Sequence, residues 1–540
     1  MHPAGLVRGL LRQPPAMTAR RVAGPDAHLA RLADAVGIAP RYVDGFGRLR
    51  RPSIGTRRAI LAAFGLAADS AEAVETQKRL PLPPYFVAEA DEPSTLPLHG
   101  AAQPDRRTIR ITDERNAAVD RSVDIVATDT GPALALPPLS AGYYRLQFAD
   151  APDETVTWLL VAPPRCWQPE ALERGERLWG VTAQVYGLRS ARGEAIGDLS
   201  DVGDLASQVA DLGAAFLGLS PLHALFPSDR SKISPYSPSS RLFLDPLYID
   251  PAAIDRRAAA APGPGPTVPA GGLLVDYEAA WRHRAAVLEQ LWLERRGRED
   301  LAFTQFVEER GGPLTLHATF EALSEHFRDQ GCLWSGDWPA PFRNCLSPEV
   351  RDFAAAHADR VRFHAWLQYE ADRQLATAAE RARAMPIGLY RDLAVGPDRA
   401  GSEVWAQPAA FAESLAVGAP PDLLGPQGQN WGLPPPNPTT MAMDGFAAFR
   451  NLVAANLRHA GAIRIDHAFQ LQRLFVIPAG ATAADGAYVA YPFDALLAVL
   501  RIESHRARGL VIAEDLGTAP EGFSDAIIAS GLLSYRLLPF

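Results

Sequence analysis

The feature that most constrains the fold is an alternation, beyond Arg165, of short apolar runs that end in polar residues with long helical segments. This alternation is typical of parallel strands joined by helical crossovers, and a (β/α)8 TIM-type barrel is one of the two common closures of such a sheet. We therefore expect an α/β fold. The predicted strands are GVTAQVYGL (180–188), AAFLGL (214–219), PIGLYRDL (386–393), GAIRI (461–465), LVIA (510–513) and SYRLL (534–538).

Other patterns precede and interrupt this region. Residues 1–26 are interpreted as a flexible tail, residues 27–80 space apolar side chains at helical intervals, and residues 81–165 alternate in short stretches. These patterns predict a small helical unit followed by a β-sandwich. Residues 166–540 form the predicted barrel, and amphipathic segments within it predict a helical insertion at about 251–384.

Composition excludes several classes of protein. The chain carries 53 basic and 62 acidic side chains, a net charge of −9, and so lacks the basic surface of a nucleic-acid binder. No apolar run approaches the roughly 20 residues that span a bilayer. The three cysteines form no CxxC pair, which disfavours disulfides and a zinc site. We expect a cytoplasmic protein without nucleic-acid or membrane partners.

Two carboxylates follow predicted strands, where a barrel places its active site. Asp466 follows GAIRI, and Glu514 follows GLVIA. Paired carboxylates there suit glycosyl transfer, one as nucleophile and the other as acid/base. Arg464 shares a strand face with Asp466 and is positioned to keep that carboxylate ionised. The alternative is that Asp466 and Asp515 only cap the following helices, and His467 alone is more typical of a structural histidine.

Two further loops suit a sugar site. Tyr236 lies in ISPYSPSSR (233–241), and Gln429 and Trp431 lie in GQNWGLPPP (428–436). Their rings can stack on the apolar faces of pyranose units, and their amide and hydroxyl groups can bind sugar edges. Ordinary surface packing is the alternative for each loop taken singly.

Long motifs extend from about Trp179 to the last residue in a fixed order. They are SDVGDLASQVADLGAAFLGLSPLHAL, SPYSPSSRLFLDPLYID, IGLYRDLAVG, VGAPPDLLGPQGQNWGLPPPNP, GAIRIDHAFQLQRLFVIPAG, DGAYVAYPFDALLAVLRIES and AEDLGTAPEGF. In sequence and order they resemble the 4-alpha-glucanotransferases (amylomaltases, or disproportionating enzymes) of glycoside hydrolase family 77. The two N-terminal segments are similar to those of the longer bacterial members.

The resemblance implies a retaining double displacement in which Asp466 is the nucleophile and Glu514 the general acid/base. It implies that α-1,4-glucans and maltooligosaccharides serve as donor and acceptor, with no metal or organic cofactor. Neither Ala513, where the family usually has glycine, nor Glu403, where it usually has aspartate, is expected to abolish activity. The implied substrate-binding residues are Arg464, His467, Tyr236, Asp392, Asp422, Gln429 and Trp431.

One further departure concerns the barrel itself. Family members carry a second aspartate, in a His-Asp pair on a later strand, and this sequence reaches Phe540 in what resembles the sixth strand. We therefore expect a C-terminally truncated (β/α)8 barrel with exposed strand edges, low solubility and little activity. Two alternatives to the transferase remain at this point: an α-glucan hydrolase, and an inactive glucan-binding fragment.

Overall fold

The computed structural model of the protein describes residues 25–66, 82–99, 106–151, 156–190, 196–255, 274–423 and 425–538. Residues 1–24 of the predicted tail lie outside this part of the chain, as do residues 256–273 of the predicted insertion. No helix among the described residues is long and apolar enough to cross a membrane.

Strands and helices are numbered in chain order. The strands are β1 (Tyr42–Val43), β2 (Leu49–Arg50), β3 (Tyr85–Glu89), β4 (Ser94–Pro97), β5 (Arg106–Thr112), β6 (Ala118–Thr128), β7 (Gly131–Leu136), β8 (Gly142–Phe148), β9 (Thr157–Ala162), β10 (Gly180–Ala183), β11 (Phe216–Leu219), β12 (His223–Ala224), β13 (Ser240–Leu244), β14 (Gly388–Leu393), β15 (Leu415–Ala419), β16 (Gln429–Asn430), β17 (Ala462–Ile465), β18 (Arg473–Pro478), β19 (Ala487–Ala490), β20 (Leu510–Ala513) and β21 (Leu533–Ser534). The helices are α1 (Pro25–Ala35), α2 (Ile54–Ala63), α3 (Glu170–Glu173), α4 (Leu199–Asp211), α5 (Tyr277–Arg295), α6 (Leu301–Arg328), α7 (Pro348–Ala356), α8 (Ala358–Arg381), α9 (Ser402–Ala406), α10 (Pro438–Met441), α11 (Ala447–Leu457), α12 (Phe493–Ala507) and α13 (Phe523–Ala529).

A parallel sheet organises the second half of the chain. Its six strands run in the order β10-β11-β14-β17-β20-β21, so β10 and β21 are its edges within the described residues. Every pair in this sheet is parallel, and therefore all the carboxyl ends lie at the same end of the sheet. Each strand lies at or beside one of the six predicted apolar runs.

Two predicted strands have the wrong limits. The run 180–188 remains a strand only to Ala183, because the backbone then makes a tight turn over Val185–Gly187. The run 534–538 is a strand only at Leu533–Ser534, because the Tyr535 N–H donates to a carboxylate oxygen of Asp515 instead of continuing the ladder. The first is a local backbone turn and the second a tertiary contact, and local hydrophobicity encodes neither.

Helices α5, α6 and α8 of the predicted insertion pack into one core with α4, whereas Val350 of α7 is buried in a separate cluster with Phe320 and Phe327 of α6. Leu367 of α8 and Val202 of α4 are buried in that core together with Leu217 of β11. Helix α8 therefore also covers the parallel sheet. Helix α6 bends at Gly311, whose φ of 55° and ψ of −140° are non-helical.

A second, antiparallel sheet was not predicted. It has the order β16-β15-β18-β19, and its strands follow β14 and β17 in the chain. Val417 of β15 pairs with Val476 of β18, and both side chains are buried in the main core. Trp431, which follows β16, contacts the ring of His467 just beyond β17, so this sheet lies beside the carboxyl ends of the parallel strands.

Residues 85–162 form a seven-stranded sheet of order β3-β9-β8-β5-β6-β7-β4, and inward side chains of all seven strands share one core. The segment before it contains α1 and α2, as the helical pattern predicts, together with an unpredicted hairpin, β1–β2. The hairpin forms because the buried Asp44 carboxylate accepts the N–H groups of Phe46 and Arg48 across the turn.

Candidate active site

The site lies where three neighbouring parallel strands end. Asp392 of β14 pairs in register with Arg464 of β17, and Ile465 of β17 pairs with Ala513 of β20. Asp466 and Glu514 each follow the members of that second pair. The strand register therefore brings both predicted catalytic carboxylates to adjacent positions at the same end of the sheet.

Arg464 bridges two carboxylates. Its Nη1 donates to Asp392 Oδ1 at 2.7 Å, and its Nη2 lies 2.8 Å from Asp466 Oδ1. Burial alone would lower the pKa of Arg464, but the two carboxylates raise it above its usual value. One guanidinium thus remains charged between two largely buried acids.

The environment of Asp466 raises the pKa of its carboxyl group to about 6. Burial is the main cause, and the nearby Asp392 and Glu514 act in the same direction, whereas Arg464 opposes them. Near neutral pH most of this group is ionised. Arg464 therefore keeps a partly desolvated carboxylate available for attack on carbon.

Tyr236 approaches from the loop before β13. Its hydroxyl donates to Asp392 Oδ2 at 2.9 Å, while Asp392 Oδ1 accepts from Arg464. Burial raises the pKa of Asp392, and these two donors oppose that shift. Tyr236 is 42% exposed as a residue, so part of it remains accessible beside the charged network.

Glu514 is held by backbone donors. The N–H of His467 donates to its Oε2 at 2.9 Å, and the N–H of Leu516 donates to its Oε1 at 2.9 Å. The residue is only 9% exposed. These contacts hold the carboxyl group at the end of β20, next to the strand that leads into Asp466.

His467 links this network to a second loop. It adopts a left-handed backbone conformation with φ of 46°, which aims its N–H at Glu514. Burial lowers the pKa of its imidazole to about 4, so the ring is neutral near pH 7. The ring meets Trp431 edge-on, with centroids 5.2 Å apart.

Trp431, Gln429 and Asp422 all belong to the segment that follows β15. Trp431 Nε1 donates to Gln429 Oε1 at 3.0 Å, which joins these two side chains. The N–H of Gly425 donates a hydrogen bond to Asp422 Oδ1 at 2.5 Å, so the Asp422 carboxylate stabilises its own loop. The structure thus brings eight of the nine predicted residues into one connected set, and Asp422 lies in the adjoining loop.

The capping alternative does not describe these acids. The Asp466 carboxylate pairs with Arg464, and Asp515 accepts from Ser534 Oγ at 2.7 Å and from the Tyr535 N–H. Asp515 therefore ties β20 to β21. Burial alone would raise the pKa of Asp515, but these donors lower it below its usual value.

Both departures from the family motifs are structural positions. The buried Glu403 carboxylate lies 2.7 Å from Arg241 Nη2 and also accepts the Arg241 N–H at 2.7 Å, which anchors β13. Ala513 is fully buried in the β20 ladder. Glu403 therefore serves the position of β13, and Ala513, which directly precedes Glu514 in the chain, carries a methyl side chain without an acid or base group.

Sequence reasoning missed part of the cleft. A cavity of about 420 Å³ opens at the carboxyl ends of the strands and includes Tyr236, Asp392 and Arg464 in its lining. The other side chains that line it include Thr182, Gln184, Ser220, Tyr390 and Tyr535. Tyr535, whose ring centroid lies 5.5 Å from Arg464 Cζ, directly follows a parallel strand. Sequence reasoning missed it because the predicted strand 534–538 included it, whereas the observed strand ends at Ser534.

Comparison with known proteins gives a consistent match. The family model described as glycoside hydrolase 77, 4-alpha-glucanotransferase, matches residues 183–540, and a MalQ N-terminal beta sandwich domain matches residues 81–163. A Haemophilus influenzae 4-alpha-glucanotransferase is 35% identical over 80% of this chain and 64% of its own length. A Mycobacterium bovis 4-alpha-glucanotransferase is 34% identical over 95% of this chain and 75% of its own.

A solved structure shows the same fold. The crystal structure of amylomaltase from Corynebacterium glutamicum aligns with a TM-score of 0.75 and 28% identity, covering 94% of this chain and 75% of that one. This likeness, with the family match, assigns the parallel sheet to a (β/α)8 barrel-type fold. The chain spans about two thirds of the Haemophilus relative and three quarters of the mycobacterial one.

Proposed function

Because the chain belongs to the 4-alpha-glucanotransferases of glycoside hydrolase family 77, a family of glycosyl-transferring enzymes, we propose that it moves α-1,4-glucan segments between maltooligosaccharides in the cytoplasm. The observation that carries the proposal is the placement of Asp466 and Glu514 at the ends of adjacent strands, with Arg464 bound to Asp466. This geometry supports a retaining double displacement.

In the first step, an Asp466 carboxylate oxygen attacks the anomeric carbon of the donor glucan. The bond from that carbon to the glycosidic oxygen breaks, and protonated Glu514 gives its proton to the departing 4-oxygen. A covalent glucosyl-enzyme forms, and the shortened glucan leaves. As the Asp466 charge disappears into the ester, Arg464 retains its second partner, Asp392.

In the second step, the 4-hydroxyl of an acceptor glucan attacks the same carbon from the side that the leaving group vacated. Glu514, now ionised, takes the hydroxyl proton while the bond to Asp466 breaks. Two inversions at one carbon retain the α-configuration. Both catalytic carboxyl groups return to their starting protonation states.

The surrounding side chains suit the sugars. The rings of the partly exposed Tyr236 and of Trp431 offer stacking faces, and Asp392, Asp422 and Gln429 offer acceptors for hydroxyl groups. His467 is neutral near pH 7 and can bind a sugar hydroxyl without adding charge. In this proposal Tyr236, Asp392 and Arg464 bind sugar in the cavity at the strand ends, and the remaining residues bind it from the adjoining loops: His467, Asp422, Gln429 and Trp431.

Trapping tests the double displacement directly. The full-length protein that carries this sequence would be incubated with a 5-fluoro-α-glucosyl fluoride, whose fluorine slows breakdown of the ester. We expect a stable mass increase of one fluoroglucosyl group, which peptide mapping locates on Asp466. An adduct on another residue would contradict the assigned nucleophile.

A further inference from the structure

The tip of the β1–β2 hairpin touches the loop that carries Asp422. The N–H of Gly45 donates to the carbonyl oxygen of Pro421 at 2.9 Å. A Cβ atom placed on Gly45 would lie 2.7 Å from the Cα of Asp422 and 3.1 Å from the Pro421 oxygen. Only glycine allows the two backbones to approach this closely.

The hairpin is itself stiffly attached. Asp44 is buried and pairs with Arg50 Nε at 2.8 Å. The Tyr42 ring packs edge-on against Phe475 of β18 and Tyr488 of β19, with centroids 5.4 and 5.5 Å apart. A rigid segment from the N-terminal unit therefore reaches across the antiparallel sheet to the 421–428 loop.

Contacts within the loop continue toward the catalytic centre. The N–H groups of Asp422 and Gly428 both donate to the Gly425 carbonyl oxygen, at 3.1 and 2.7 Å. The loop ends at Gln429, which binds Trp431, and the Trp431 ring meets His467. Contacts between described residues thus connect the hairpin tip with Trp431 and His467.

We propose that the β1–β2 hairpin is a positioning element for the glucan cleft, and that Gly45 sets the position of the Asp422 loop by direct backbone contact. The inference rests on the proposed function, because that function assigns Asp422, Gln429 and Trp431 to glucan binding. The N-terminal unit then acts on substrate binding without contributing a catalytic group.

The test compares Gly45→Ala with Gly55→Ala in the full-length protein, using initial rates of glucose release from maltotriose. A Cβ at Gly55 meets only Ser53 Oγ, at 3.6 Å, so this control makes the same chemical change in the same unit without touching the loop. We expect Gly45→Ala to raise KM about fivefold or more with kcat within about twofold, because displaced binding groups weaken glucan binding. Gly55→Ala should leave both constants unchanged.

A second pair of variants guards against simple misfolding. Arg50→Met removes the partner of Asp44, whereas Arg48→Met removes a guanidinium that lies over the Phe46 ring, 5.5 Å from its centroid. We expect only Arg50→Met to raise KM, with the acid limb of the pH profile unmoved in either variant. If Gly45→Ala and Arg50→Met had the same KM values as their controls, the positioning role of the hairpin would be refuted. The proposed function would be unaffected by that result. Absence of chain lengthening in the unsubstituted protein would overturn the proposed function and this inference with it.

Discussion

At the scale of residues, the chemistry depends on one guanidinium shared by two acids. Arg464 contacts Asp392 and Asp466 at hydrogen-bond distance, and all three side chains are mostly shielded from water. An unpaired buried carboxylate is costly, so the arginine stabilises the charge and the orientation of Asp466, the proposed nucleophile.

Replacement of the nucleophile gives the simplest prediction. Asp466→Asn keeps the shape of the side chain and removes the attacking oxygen anion, so transfer activity should fall by about 10³-fold or more. Initial rates with maltotriose measure the loss, and thermal unfolding checks that the fold persists. Asp515→Asn is the matched control, because that carboxylate binds β21 and not Arg464. If Asp466→Asn retained turnover, the assignment of Asp466 as the nucleophile would be refuted.

The pH dependence follows from the raised pKa of Asp466. The group must be ionised to attack, and its pKa is about 6, so kcat/KM should fall as pH decreases through about 6. In Arg464→Met the loss of the cation should raise the pKa of Asp466 and move this acid limb to higher pH. Arg464→Lys, which retains a charge, should move it less. An acid limb that does not move in Arg464→Met would contradict the electrostatic account.

At the scale of elements, the strands that carry the site were predictable and their neighbours were not. Apolar runs followed by Asp466 and Glu514 mark β17 and β20, because parallel strands in a covered sheet are buried on both faces. The segment 473–478 of the antiparallel sheet was not assigned, although it is also apolar, because its pairing with β15 depends on distant residues. Asp392 and Asp422 were predicted from the family resemblance and not from the strand pattern. Tyr535 was missed because the predicted strand 534–538 included it, whereas the observed strand ends at Ser534.

One packing contact joins the seven-stranded sheet to α12. The buried Tyr143 hydroxyl donates to Glu503 Oε1 at 2.8 Å, and the Arg450 guanidinium lies 3.6 Å from the centre of the tyrosine ring. Burial raises the pKa of Glu503, and the hydrogen bond from Tyr143 opposes that shift.

Tyr143→Phe should therefore destabilise the protein by about 1–3 kcal/mol, because a buried carboxylate loses one of its donors and keeps, among the described residues, only Arg506 Nη1, at 3.3 Å. Chemical denaturation measures the change. Tyr144→Phe is the control, since the Tyr144 hydroxyl donates to the Ser140 carbonyl oxygen in a more exposed setting and should cost about 1 kcal/mol or less. If both variants lowered the free energy of unfolding equally, the Tyr143–Glu503 hydrogen bond would contribute no more to stability than the exposed one.

At the scale of the whole molecule, the N-terminal segments meet the parallel-sheet region at two different places. The seven-stranded sheet packs on α12, while the β1–β2 hairpin reaches the loop beside the cleft. We propose that residues 27–80 and 81–165 are separate units, the first serving substrate binding and the second serving stability. The variants of Gly45 and of Tyr143 separate these two effects, because one should change KM and the other the free energy of unfolding.

The proposed function of this protein is transfer of glucan segments rather than their hydrolysis. Both reactions use a pair of carboxylates in the same way. The most direct measurement is the product distribution that the full-length protein makes from maltotriose alone. We expect glucose together with maltooligosaccharides longer than maltotriose, because glucose leaves in the first step and an acceptor 4-hydroxyl then takes the remaining maltosyl group from Asp466. Glucose and maltose without any longer chain would contradict it.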